Sequence, residues 1–301
     1  MTISSKNKNK NKKNKKTIKL KKLQCAPNKN NKINNKLSKI TCYKDNDLLL
    51  MKKLWNKNNI KKIKTNNPVL IWNFLKNNMN SKCYNELCWL NNNTFNNIDK
   101  EFIIKNTFRP FSPKIWNTNP YEWLSSVDIL KVMKQYEDKY SFFKFLGPSP
   151  IDFDDKLYNG CVNNKICNLN INNYINSKIN KIGIIFNTDP HYKDGEHWIA
   201  LFIDIDKKYI FYFDSNGNKI PNRIQTLINR IVKQGKINNI SFKVYSNENV
   251  EHQKKDGQCG MYTLYFIIEL LKNINPNYFL KNRIPDEEMV KYRKKYFNTL
   301  Y

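Results

Sequence analysis

The sequence predicts an α+β fold: a mostly antiparallel mixed sheet packed against helices, preceded by a helical N-terminal extension. Three observations lead there. Compact apolar runs gather at 181–186 (KIGIIF), 197–205 (HWIALFIDI) and 209–214 (YIFYFD), and short runs rich in Ile and Phe between polar turns are strands. Segments with apolar residues at helical spacing flank that group, so strands and helices are clustered rather than alternating. The stretch 259–272 is apolar nearly all the way round, which in a helix means central burial.

Taken in order, residues 1–45 form a Lys/Asn-rich tail, too polar and too charged to offset its ordering entropy by burial, so disorder is expected. Residues 46–115 form an extension. Within it, DLLLMKKLWNKNNIKKIK and PVLIWNFLKNNM mix apolar and basic groups at spacings that suit two short amphipathic helices. Residues 91–120, with prolines at 110, 113 and 120, read as a linker with little regular structure. The main domain, 116–301, opens with NPYEWLSSVDILKVMKQYEDKY, where a proline precedes Trp123, Val127, Leu130 and Met133 at helical intervals. The three strands follow, with DKK at 206–208 closing the second and third into a hairpin. Residues 222–234 look helical, INNISFKVYS at 237–246 is a fourth strand, and 259–272 is the buried helix.

Half of the net charge of +28 belongs to residues 1–40, which hold 14 lysines and no acid. Such a tail could contact nucleic acid nonspecifically through counterion release. The same abundance of Lys, Asn and Ile runs through the whole chain, as A/T-rich codons would produce. No run of about 18 apolar residues could cross a bilayer, and no early apolar stretch resembles a signal peptide, so a soluble intracellular protein with no membrane partner is expected. Seven cysteines, at 25, 42, 83, 88, 161, 167 and 259, are odd in number and irregular in spacing, which argues against a disulfide framework. Cys83/Cys88 and Cys161/Cys167 lack the spacing and the partner pair of a zinc site, so no metal is expected.

Chemistry concentrates in a few residues. His197 stands where a loop becomes an apolar strand, and Asp214 stands where the next strand ends in SNGN. A hairpin centred near 207 brings them to one end of the sheet, two or three residues out of register, or roughly 7–10 Å along the strand. Cys259 opens the buried helix, where exposed N–H groups favour a thiolate. His197 could take and return the proton while Asp214 holds the ring. Gln253, six residues before Cys259, could offer a side-chain amide to an oxyanion, with the Cys259 N–H as its partner.

His197-Trp198 opening a strand, YFDSNG with Asp214, and then Gln253 and DGQCGMY with Cys259 together resemble the ubiquitin-like-protein-specific cysteine proteases. That family includes adenain, and the likeness is greatest to the polyprotein-processing thiol proteases of large DNA viruses. Trp123-Leu124 followed by Ile129 is similar to the family's opening tryptophan-leucine helix, and the resemblance spans about residues 120–272. It implies cysteine-type hydrolysis of a peptide or isopeptide bond after a small, often double-glycine sequence, without a cofactor. It also makes Trp198 and Trp123 the substrate-binding candidates, with the substrate strand passing in a slot beneath Trp198, since only glycine lets a backbone pass so close under an indole. One departure stands out. Deconjugases commonly have aspartate directly before the cysteine; this chain has Gln258, which competes with Gln253 for the oxyanion role.

The resemblance and the Asn/Lys/Ile bias imply a viral cysteine endopeptidase that cleaves structural precursors after Gly-containing sites, in the virion or the host cytoplasm. A deconjugase removing ubiquitin-like modifiers and an acyltransferase on the same fold are the alternatives. His191 and His252 remain spare imidazoles, and His252 is expected to be a solvated loop residue.

Overall fold

The structure, a computed structural model, describes residues 20–27, 40–79, 83–119, 121–158 and 160–299. The extension carries α1 (Asp45–Asn58), α2 (Pro68–Asn78), α3 (Leu87–Leu90) and α4 (Lys100–Thr107); α1 and α2 are the two helices expected over 46–80. α2 starts where it does because Pro68 sits in the first turn, where its missing N–H is no loss, while the Asn67 side chain accepts from the N–H groups of Val69 and Leu70. Leu48, Met51, Trp55, Ile71, Trp72, Leu75 and Trp89 build a core of their own from these helices.

Three expectations for this region need correction. Disorder does not extend to residue 45: Leu23 and Tyr43 are buried in the extension core, and Gln24 N–H donates to Asn298 Oδ1 at 2.6 Å. The few apolar groups within a basic segment were enough to seat residues 20–27 and 40–45; residues 1–19 and 28–39 of the expected tail lie outside the described residues. The expected linker contains α4, capped by Asp99, whose carboxylate accepts from Phe102 N–H. Cysteine spacing also misled: Cys25–Cys42, Cys83–Cys88 and Cys161–Cys167 are disulfides, with Cα–Cα separations of 5.1, 5.3 and 6.3 Å. Pairing depends on which turns the fold brings together, and irregular spacing carries no record of that.

The main unit begins with α5 (Ser126–Lys139), whose start is set by a capping box between Ser125 and Asp128. The sequence placed Trp123 in this helix and Val127 and Leu130 on its core face, and both placements are wrong. Trp123 precedes the helix, Val127 and Leu130 are exposed, and Ile129, Val132, Met133 and Tyr136 are buried. Two apolar stripes coexist on α5, and periodicity does not say which one meets the core.

Next come β1 (Phe143–Phe145), β2 (Ser149–Pro150), the hairpin of β3 (Lys156–Leu157) and β4 (Gly160–Cys161), α6 (Asn164–Cys167) and α7 (Ile171–Asn176). The strands β5 (Lys181–Asn187), β6 (Trp198–Asp204) and β7 (Tyr209–Phe213) fall within one or two residues of the expected positions, and α8 (Asn222–Ile237) follows. The fourth expected strand shrinks to β8 (Lys243–Ser246). Beyond it lie α9 (Cys259–Leu271), α10 (Asn277–Lys281) and α11 (Asp286–Tyr296).

The sheet order is β1-β5-β6-β7-β8, with β2 also on β5. β5, β6 and β7 are antiparallel; β1, β2 and β8 join parallel. Alternate side chains serve two cores. Ala200, Phe202, Phe211 and Phe213 face α5 and α9, while Ile199, Leu201, Ile203 and Ile210 face α8. Covered on both faces, these strands read as continuous apolar runs. Every residue of α9 is buried, as its apolar surround requires.

Candidate active site

The site forms where β6 begins, β7 ends and α9 begins. His197 is the residue before β6, and its Nε2 lies 2.7 Å from Asp214 Oδ1. The sheet register, Ala200 opposite Phe213, leaves the two residues out of step by two positions, so the side chains must lean together. Asp214 is held for this. Its N–H donates to Asn247 Oδ1 at 2.9 Å, Asn247 Nδ2 donates to its carbonyl, and Asn218 Nδ2 donates to Oδ2 at 3.0 Å. The Asn216 N–H also donates to Oδ1 at 2.8 Å, as the SNGN turn favours.

With Nε2 engaged by the carboxylate, Nδ1 is the ring nitrogen left for the thiol. Cys259, the first residue of α9 and 2 % exposed, is the free cysteine of the seven. Burial opposes a charge on His197, but hydrogen bonds and charges from Asp214 and Cys259 outweigh it and raise the imidazole's pKa to about 10. That arrangement favours a protonated imidazole beside the Cys259 sulfur.

Gln253 is buried, its N–H donates to Ser215 O at 2.9 Å, and its Oε1 accepts from Ser215 Oγ at 2.9 Å. The amide is therefore turned so that its NH2 end is the free donor. Gln258 is fully buried and differently employed. Its Oε1 accepts from Arg293 Nε at 3.0 Å, and its Nε2 is buried without a protein acceptor.

Trp123 and Trp198 meet in one cleft of about 700 Å³, which Glu122, Leu124, Asp189 and His191 also line. Trp198 Nε1 donates to Leu124 O at 2.9 Å, so the indole is pinned across the segment 121–124. The same segment presses on the entrance to α9. A Cβ on Gly257 (φ +85°) would stand 2.0 Å from Tyr121 O, and one on Gly260 would stand 2.9 Å from Leu124 Cβ. The two glycines of DGQCG thus let the nucleophile's turn lie beneath the tryptophan segment.

The other imidazoles are engaged elsewhere. His191 Nδ1 lies 2.6 Å from Asp152 Oδ2. His252 is not the solvated residue expected: it is fully buried, accepts from Ile284 N–H at Nδ1 and donates from Nε2 to Phe279 O, both at 3.1 Å. Burial lowers its pKa to about 4, leaving it neutral. Its partners lie in the stretch beyond 272, where no motif marked them. Sequence reasoning also gave no role to Asn218, four residues from Asp214 in the SNGN turn, or to Ser215, Asn247 and Arg293, whose contacts with the site are long-range. Among the described residues no group of three His, Cys, Asp or Glu side chains could hold a metal ion.

A mixed sheet backed by a buried helix, with one thiol set against an acid-supported imidazole, defines a cysteine protease site. The chain belongs to the Ulp1 protease family: the family's C-terminal catalytic domain matches residues 141–301, more than half of its length. It is 31 % identical over 203 residues to a putative thiol protease of Acanthamoeba polyphaga mimivirus, covering 66 % of this chain and 63 % of that protein. It is 35 % identical over 120 residues to a SUMO-1 cysteine protease of African swine fever virus, covering 39 % of this chain and 44 % of the relative. The chain thus spans less than two thirds of the length of either. In fold it is similar to the crystal structure of the African swine fever virus protease, with a TM-score of 0.65 at 20 % identity over 93 % of this chain and 97 % of the other.

Proposed function

We propose that the chain is a viral cysteine endopeptidase that cleaves structural precursor proteins after small, Gly-containing sites during particle maturation. The observation that carries this reading is the 2.7 Å contact of Asp214 with a His197 ring that also bears on the free thiol of Cys259. Cys259 gives its proton to His197 and attacks the scissile carbonyl. Gln253 Nε2 and the Cys259 N–H receive the oxyanion, a pair of donors each worth about 2.7–4 kcal/mol of barrier. His197 returns the proton to the leaving amine, then takes one from the water that hydrolyses the acyl-enzyme, while Asp214 keeps the ring in place.

Gln253 is the better oxyanion donor than Gln258 because its oxygen is tied to Ser215 and its nitrogen end is left for substrate, whereas Gln258 is fully buried against Arg293. The pinned Trp198 supports the glycine preference, since a substrate strand lying in the cleft would run against an indole fixed to Leu124 O. Action in the virion or the host cytoplasm agrees with the viral relatives. Among the described residues no helix is long and apolar enough to cross a membrane. Nucleic-acid contact through the N-terminal lysines would bring the enzyme to its particle.

The test offers the protein both Gly-X-Gly-containing precursor peptides and fluorogenic substrates ending in the C-terminus of a ubiquitin-like modifier. Turnover of the precursor peptides, lost in Cys259→Ala, is expected; turnover of the modifier substrates alone would make the enzyme a deconjugase.

A further inference from the structure

Arg293 lies on α11, far along the chain from the catalytic motifs, yet it reaches the turn directly before the nucleophile. Its Nε donates to Gln258 Oε1 at 3.0 Å and its Nη2 to Gly257 O at 2.7 Å. The guanidinium also lies over Trp116, with Cζ 4.4 Å from the ring centroid. The side chain is 4 % exposed, and among the described residues no carboxylate stands within 4.0 Å of it. Its Nη1 is buried without an acceptor.

A buried guanidinium with no paired carboxylate is costly, and removing water from it without a counter-charge is the expensive part. The clamp on residues 257 and 258 accounts for two of its donors but brings no negative charge. Burial lowers the pKa of Arg293 to about 10, and the negative groups that oppose this are Cys259 first, then Glu122 before α5 and Asp128 within it. Glu122 and Asp128 already serve other donors: Asn119 Nδ2 and Trp123 N–H on the first, Ser125 on the second. The thiolate is the negative group with no such engagement except His197.

We propose that Arg293 is a positioning residue for the nucleophile, clamping the Gly257–Gln258 turn that opens α9 and leaving its charge to hold Cys259 as a thiolate. The inference deepens the protease reading and rests on Cys259 being the nucleophile. Besides the His197 imidazolium and the N-terminus of α9, the thiol then has a third positive group at its turn, the Arg293 guanidinium held on the carbonyl of Gly257 two residues before it. It also explains an arginine at this place. An apolar side chain could fill the space over Trp116, but it would leave Gly257 O and Gln258 Oε1 without their donors and the thiolate without its second cation.

The experiment is the pH dependence of Cys259 alkylation by iodoacetamide in the 301-residue chain and in its Arg293→Lys, Arg293→Gln and Arg293→Met variants, with folding checked by urea unfolding. Lysine keeps the charge, so its acid limb should stay with the wild type while kcat falls through the loosened turn. Glutamine keeps a donor but no charge; its acid limb should move to higher pH, with alkylation near neutrality slowed by about tenfold. Methionine should behave as glutamine does. If the glutamine variant folds and its profile coincides with the wild type, or if folded lysine and glutamine variants shift equally, the proposal is wrong. Should the neutral variants fail to unfold cooperatively, the lysine variant decides: a shifted acid limb there overturns the proposal. Because alkylation needs no substrate, a reactive thiol in a chain that cleaves no peptide would refute the protease reading and leave this inference standing.

Discussion

Asp214 reaches His197 across a register offset of two residues, closing to 2.7 Å because Asn247 holds its backbone and Asn218 its second carboxylate oxygen. The contact is thus built by the residue before β6, the turn after β7 and the segment after β8.

Asp214→Asn should lower kcat/KM by roughly 10²–10⁴-fold, the usual scale for losing ring orientation in acid–base catalysis. The linkage to stability has a definite sign. The folded imidazole titrates near pH 10, above the 6.5 of a free histidine, so its contribution is complete below pH 6.5 and is lost as pH rises through 10. Urea unfolding should therefore show the wild type's advantage over the variant shrinking from pH 6 to pH 10; a constant difference would contradict the pairing.

His252 works in the opposite direction. It is neutral in the fold with a pKa near 4, so the stability it contributes is present above pH 6.5 and is lost as pH falls through 4. The full effect is about 3 kcal/mol, from the separation of the two pKa values. His252→Ala should destabilise at neutral pH by leaving Ile284 N–H and Phe279 O unpaired, and should flatten the acid dependence of unfolding, as read by thermal melts from pH 4 to 8.

Without reductant, the native protein should take up one carbamidomethyl group by mass spectrometry, at Cys259, with six more after reduction and unfolding. Modification of several cysteines before reduction would mean that the pairs are open. His197→Ala should slow the single labelling strongly at pH 7, while His191→Ala, whose ring sits on Asp152, should leave it nearly unchanged.

If the proposed glycine preference holds, Trp198→Ala should relax it, by removing the indole pinned to Leu124 O that a substrate side chain would otherwise strike. Peptides with alanine in place of the second glycine should gain in kcat/KM relative to the parent by about tenfold or more, the scale of a few kcal/mol of relieved overlap. Trp123→Ala, at a residue 41 % exposed on the cleft wall, should raise KM with little change in kcat. If both variants keep the parent's ratio of glycine to alanine substrates, the slot lies elsewhere.

The strands β5 to β7, α8, α9 and the pair in the extension were legible because apolar runs of strand length and wholly apolar helical turns record how deeply a segment will be buried. So was the meeting of His197 with Asp214 and Cys259, since motif order survives without knowledge of the fold. The buried face of α5 was not legible, because its two apolar stripes differ only in what packs against them. Neither were the disulfide pairs, nor the seating of Leu23 in the extension core.

By itself, then, the amino-acid order determined which thiol, imidazole and carboxylate were available and on which elements they would stand, because local periodicity and turn chemistry act over a few residues. Tertiary structure alone decided that Asp214 would lean two residues out of register, that His252 would be dry, and that Arg293 would arrive from α11 beneath the turn before Cys259. Those outcomes depend on contacts between distant segments, whose energies belong to the packed molecule and to no single stretch of chain.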